Sequence, residues 1–173
     1  MPTMNLYLTG FMGTGKTSVG RELARRLRRP FVDLDSDIEA RAGQTISELF
    51  SRGEPAFRRA EARALRRASR RPGLVVALGG GALLSAENRK LVADSGLLIC
   101  LTCAEDRLWR RLRADGLTRP LLGSGGRRRE RMRRLLSRRR GLYRQADVSA
   151  STTHRTPAQA AALIVRKLAE RLL

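Results

Sequence analysis

The sequence predicts one α/β domain of three layers, a parallel sheet with helices packed on both faces. Three observations carry that prediction. Short runs that are apolar throughout, such as Gly96-Leu-Leu-Ile-Cys-Leu101, alternate with stretches of helical periodicity, the pattern of strands buried on both faces. The first such run leads directly into a glycine-rich turn and then a helix. The 173 residues are enough for one core, with no internal repeat and no linker to divide it.

Taken in order, Met4 to Thr9 reads as a first strand. Thr17 to Arg28 places Val19, Leu23 and Leu27 on one helix face. Phe31 to Leu34 is a second strand ending in acid. Ile38 to Arg41 and Ile46 to Arg52 are short helices separated by Gly43. Glu54 to Arg70 is a longer helix rich in alanine and arginine, both good helix formers, and Pro72-Gly73 stops it. Leu74 to Leu78 is a strand that runs into Gly79-Gly80-Gly81. A helix from Ala86 to Asp94 precedes the strand Gly96 to Thr102, and another follows from Glu105 to about Arg113. The segment Asp115 to Gly126, with five glycine or proline residues, reads as a mobile lid of about 113–127. Arg127 to Gln145 is a long basic helix, Asp147 to Ala150 a fifth short strand, and Pro157 opens a closing helix to Leu172.

The charge is lopsided. Thirty-six basic residues face sixteen acidic ones, for a formal net charge of +20, and only Lys16, Lys90 and Lys167 are lysines. Such a field attracts anionic metabolites, nucleotides or nucleic acid. The arginines are spread over several predicted helices, which reads better as a compositional bias on solvated faces than as a selected patch. The same holds for Arg127 to Arg140, nine arginines in fourteen residues, so no specific nucleic-acid partner is expected. Cys100 and Cys103 form a lone C-x-x-C. With Cys100 ending an apolar strand, no second cysteine pair, and His154 as the only histidine, a redox or metal role is not expected. No apolar run approaches the ~20 residues of a membrane-spanning helix. Met1 to Phe11 is apolar but lacks the basic leader and small-residue cleavage site of a signal peptide. The expected location is the cytoplasm.

The strongest chemical signal is Gly10-Phe-Met-Gly13-Thr14-Gly15-Lys16-Thr17, a complete G-x-x-x-x-G-K-[ST] between a strand and a helix. Glycines let backbone N–H groups turn toward phosphate oxygens, and the helix N-terminus adds partial positive charge. Lys16 then reaches the β- and γ-phosphates of a nucleotide and the Thr17 hydroxyl reaches magnesium. ATPases and GTPases usually hold that magnesium with an aspartate ending a second apolar strand, but Leu74 to Leu78 ends in glycines. The acids follow the other strand, as Asp33-Leu-Asp35. Two carboxylates at i and i+2 leaving a strand point the same way, one toward magnesium and one toward an acceptor hydroxyl.

Further segments then carry a family resemblance: Gly10 to Gly20 (GFMGTGKTSVG), Phe31 to Glu39 (FVDLDSDIE), Gly43-x-Thr45-Ile46, Phe57-Arg58-x-x-Glu61, Gly79 to Gly81, Thr118 to Leu122 (TRPLL) and Arg139-x-Gly141-Leu142-Tyr143. In this order and spacing the chain resembles the shikimate kinases nearly end to end. The resemblance implies a nucleoside-monophosphate-kinase-like fold, a five-stranded parallel sheet in the order 2-3-1-4-5, and a substrate-binding region at about 36–60. It implies transfer of the ATP γ-phosphate to the 3-hydroxyl of shikimate, with Mg2+, by a monomer. By resemblance Gly13, Thr14, Gly15, Lys16, Thr17 and Ser18 bind nucleotide phosphates, and Arg111 and Arg155 flank the adenine. Thr17 and Asp33 serve the metal. Asp35, Arg58, Gly79, Gly80, Gly81 and Arg139 bind the acceptor, with Glu61 orienting Arg58. Lys16, Asp35 and the lid residue Arg119 form the catalytic set. The flanking Phe57, Glu61, Gly141, Leu142 and Tyr143 single out Arg58 and Arg139 among their arginine neighbours. Two departures stand out. The segment from Arg110 to Thr118 is one residue longer than usual, and Thr156 stands where asparagine often precedes the proline. A related P-loop kinase for gluconate or a nucleotide is one competing assignment, and a basic nucleic-acid-binding protein with a vestigial P-loop is another.

Overall fold

A computed structural model of the chain describes residues 4–114, 120–123 and 125–171. Five strands form one parallel sheet in the order β2-β3-β1-β4-β5: β1 (Asn5–Gly10), β2 (Phe31–Asp33), β3 (Val75–Ala77), β4 (Gly96–Thr102) and β5 (Val148–Ser151). Eight α-helices are described around it: α1 (Lys16–Leu27), α2 (Leu34–Ala42), α3 (Ile46–Ser51), α4 (Glu54–Ser69), α5 (Ala86–Ser95), α6 (Glu105–Ala114), α7 (Arg128–Tyr143) and α8 (Pro157–Arg171). The predicted layer architecture and strand order are those observed.

The sheet is central because every residue of β1 is buried, and its side chains alternate between two cores. Leu6 and Leu8 meet Val19, Leu23 and Ala24 of α1 and Ala160, Ala161, Ile164 and Leu168 of α8. Tyr7 faces the other way, among Leu65 and Ala68 of α4 and Val92 of α5. Asn5 is polar yet 1% exposed. Its amide donates to the Tyr7 hydroxyl (3.1 Å) and Ala68 O (3.3 Å) and accepts from Leu74 N (2.8 Å), so the buried polar group is paired. A third cluster forms above the sheet, where Phe11, Leu108, Leu112, Leu122 and Met132 pack with Trp109 and Tyr143.

Several boundaries differ from expectation. The second strand ends at Asp33 and α2 begins at Leu34, where a strand to Leu34 and a helix from Ile38 are predicted. The cause is local: the Asp33 carboxylate accepts from Asp35 N (3.1 Å) and Ser36 N (3.4 Å), which caps α2. Asp35 therefore leaves from the first turn of a helix, not from strand alternation. In β3, Leu74 and Leu78 lie just outside the strand. Ala82–Leu84 forms an unpredicted 3-10 turn after the glycines. The fifth strand sits one residue later than predicted. Leu172, the predicted end of α8, lies outside the described residues. Among the described residues no helix is long and apolar enough to cross a membrane.

Candidate active site

The loop between β1 and α1 is built to turn its N–H groups inward. Gly15 caps α1 at φ 93°, left-handed backbone that a side chain would strain. Thr14 does not face the cleft: it is 1% exposed, and its hydroxyl donates to Phe11 O (2.8 Å). The Lys16 ammonium folds back onto Gly10 O (2.9 Å) and Phe11 O (3.2 Å), which holds it at the mouth of the loop. Gly13, Gly15, Lys16, Thr17, Ser18, Asp33 and Asp35 all line one cavity of about 320 Å³. Sequence-remote residues are thereby gathered at the carboxyl ends of β1, β2 and β3, where open parallel sheets bind ligands.

Thr17 Oγ1 donates to Asp33 Oδ2 at 2.6 Å. A hydroxyl and a carboxylate side by side are hard oxygen donors of the kind magnesium takes in ones and twos, its remaining positions going to water and phosphate. The residues present fit that ion. Among the described residues no group of three or more His, Cys, Asp or Glu could hold a metal by itself.

The acceptor cleft adjoins this cavity. It is lined by Asp35, Arg58, Glu61, Gly79, Gly80, Gly81 and Arg139, and is walled by apolar residues including Phe50, Phe57 and Leu121. Arg58 is held in a fixed pose. Its Nε and Nη2 donate to Glu54 Oε1 (3.1 and 2.9 Å) and its Nη1 to Glu61 Oε2 (2.7 Å). Its guanidinium lies 5.1 Å from the Phe57 ring centroid, a cation–π contact. Phe57 is itself stacked on Phe50, with centroids 4.5 Å apart. A Cβ at Gly81 would meet the Arg58 guanidinium at 2.5 Å, so a side chain there would displace Arg58 from this pose.

Two charges in the cleft are buried. Arg139 is 3% exposed, and its Nη1 has no hydrogen-bond partner among the described residues. Its guanidinium lies 5.9 Å from the Phe11 ring. A buried guanidinium nitrogen left unpaired is costly and signals an anion to come. Glu61 is 1% exposed. Burial raises its carboxyl above the usual range, the Arg58 and Arg139 guanidiniums oppose that, and the Asp35 carboxylate reinforces it.

At the far edge Arg111 is braced as a strut against the phosphate loop. Its guanidinium donates to Gly13 O (3.1 Å) and Thr152 O (2.8 Å), tying α6 to the phosphate loop and to the turn after β5. Arg155 is exposed and donates to Ser151 O (3.1 Å), so the two arginines flank the same turn. The predicted catalytic Arg119 lies outside the described residues. Sequence reasoning missed Thr152, which is 2% exposed and whose hydroxyl donates to Thr14 O (2.9 Å). Nothing in Ser151-Thr152-Thr153 marks the middle residue. Phe50 was also missed, because it lies on α3 and meets Phe57 of α4 only when the two helices pack.

Comparison with known proteins gives the family. The family model described as shikimate kinase matches residues 12–169. A shikimate kinase of Symbiobacterium thermophilum is 45% identical over 170 residues, covering 97% of this chain and 98% of that protein. One from Pelotomaculum thermopropionicum is 41% identical over 167 residues, 96% of each. The solved structure of the Acinetobacter baumannii shikimate kinase in complex with shikimate superposes with a TM-score of 0.92 at 36% identity, covering 98% of this chain and 95% of that one.

Proposed function

Because the chain belongs to the shikimate kinase family, we propose that the two adjoining cavities carry out in-line transfer of the ATP γ-phosphate to the 3-hydroxyl of shikimate, giving 3-phosphoshikimate and ADP. The reaction belongs to aromatic amino acid biosynthesis. ATP is the co-substrate and Mg2+ is required. The observation that carries the acceptor assignment is the pair of arginines. Arg58 is held rigid by Glu54 and Glu61, and Arg139 is buried with an unpaired nitrogen. Two guanidinium forks converging on one cleft suit a carboxylate and have no comparable task on an uncharged sugar.

The roles follow from position. Lys16 leaves its loop carbonyls for the β- and γ-phosphates, and the N–H groups of Gly13 to Ser18 hold the phosphate chain. Thr17 and Asp33 would hold the magnesium, which would supply positive charge against the negative charge of the phosphates. Asp35 orients the acceptor hydroxyl and takes its proton as the oxygen attacks. Gly79, Gly80 and Gly81 let the acceptor approach the backbone. Arg119, on a lid of about 113–127, balances charge on the transferring phosphoryl group. Arg111 and Arg155 border the adenine, the region 36–60 shapes the acceptor cleft, and the enzyme works as a cytoplasmic monomer. An ADP-release assay with a panel of acceptors tests the assignment. ADP is expected with shikimate and not with gluconate or nucleoside monophosphates. Turnover of gluconate without shikimate would overturn it, as would tight, salt-dependent nucleic-acid binding with no small-molecule turnover.

A further inference from the structure

A further cavity, of about 280 Å³, opens between α7 and the ends of β4 and β5. It shares no described residue with the acceptor cleft. Phe11 forms the partition, since it lines this cavity and its ring also carries the Arg139 guanidinium at 5.9 Å. The floor is apolar, with Phe11, Leu101 and Leu108 each 1% exposed. The rim is basic. Arg140 and Arg144, one helical turn apart, are both exposed, and neither has an ion pair or hydrogen bond among the described residues. The Tyr143 side chain also lines the cavity, with its buried hydroxyl beside the Arg139 guanidinium.

We propose that this cavity is a second ligand site, for a single-ring aromatic carboxylate whose ring rests on Phe11 and Leu108 and whose carboxylate lies between Arg140 and Arg144. The size matches one ring, at the lower end of small-molecule pockets, which run from roughly 300 Å³. An inorganic anion would give up its own hydration against the apolar floor and gain no contact there in return. Two guanidiniums on one rim suit the flat geometry of a carboxylate. The C-terminal end of α7 opposes an anion with roughly half a unit charge, set against two full positive ones.

The probe is 3-phenylpropionate, added to the full-length chain with shikimate at saturation and followed by equilibrium dialysis. One-to-one saturable binding is expected. Ser149 is exposed, pairs in register with Cys100, and lines the cavity, so Ser149→Phe fills it from the sheet side. That variant, and separately Arg140→Ala with Arg144→Ala, should weaken the probe at least tenfold while leaving kcat and the shikimate KM unchanged. A direct reading of location comes from the half-buried thiol of Cys103, which also lines the cavity. Saturating probe should slow its alkylation by iodoacetamide at least threefold, counted by mass spectrometry. Cys100 is 1% exposed with its thiol pushed up to about 11 by burial, and so contributes little to that count. Loss of probe binding when shikimate saturates would place the carboxylate in the acceptor cleft and overturn the proposal. Equal affinity in both variants, or unprotected Cys103, would also overturn it.

Discussion

Asp35 and Glu61 are neighbouring carboxyls with opposite demands. Asp35 must be ionised to take a proton, so Asp35→Asn should lower kcat by at least ~10² with ATP affinity kept within about twofold, measured by ADP release and nucleotide calorimetry. Normal turnover would remove Asp35 from the mechanism. Glu61 titrates high because it is buried. A carboxyl raised in the fold stabilises it below the ordinary value of 4.5, and this contribution is lost as pH rises through the raised value. Glu61→Gln should therefore flatten the fall in Tm on the alkaline side of pH 4.5. The same change leaves Arg58 Nη1 with a weaker, uncharged acceptor and should raise the shikimate KM. Arg139→Lys keeps the charge and loses the fork, for an expected KM increase of about tenfold with kcat little changed. An unchanged KM would show that Arg139 does not hold the carboxylate.

The helix that carries Phe50 to the cleft is short and depends on its cap. Thr45 accepts from Glu48 N (3.2 Å) and Glu48 accepts from Thr45 N (2.7 Å), a reciprocal capping box at α3. Thr45→Ala should cost about 1 kcal/mol and lower Tm by about 2–4 °C, read by calorimetry, with a higher shikimate KM as Phe50 loosens against Phe57. At this scale the sequence was informative where one residue type imposes one geometry. The P-loop, Pro157 and the fully apolar β4 were legible because glycine torsions, a missing N–H and two-sided burial leave few alternatives. The start of α2 was not, because it depends on Asp33 turning its carboxylate back on the chain, and an acid after a strand looks the same whether it caps or reaches out. Arg111 was placed near the nucleotide from resemblance, but its bonds to Gly13 and Thr152 join segments 98 and 41 residues apart, which no local pattern encodes. Arg58 and Arg139 were distinguishable from the other arginines only through their neighbours, since burial is what separates them and burial is a property of the fold.

Across the whole molecule, charge is the unusual quantity. The described ion pairs are mostly exposed, such as Arg25–Glu22 and Arg134–Glu130, each worth about 0–1 kcal/mol and weakened by salt. The net charge of +20 repels itself in the compact state. Salt screens both effects, with a Debye length falling to about 3 Å at 1 M, and here the repulsion is the larger. Tm should rise as sodium chloride goes from about 0.05 to 0.5 M, and a fall would show that the ion pairs outweigh the repulsion. Trp109 gives one last consequence. It is the only tryptophan, sits on α6 two residues before the Arg111 strut, and packs with the cluster around Phe11 and Leu112. The protein therefore contains its own optical reporter at the junction of the phosphate loop, α6 and α7. Its emission can follow nucleotide arrival in stopped flow with no added label.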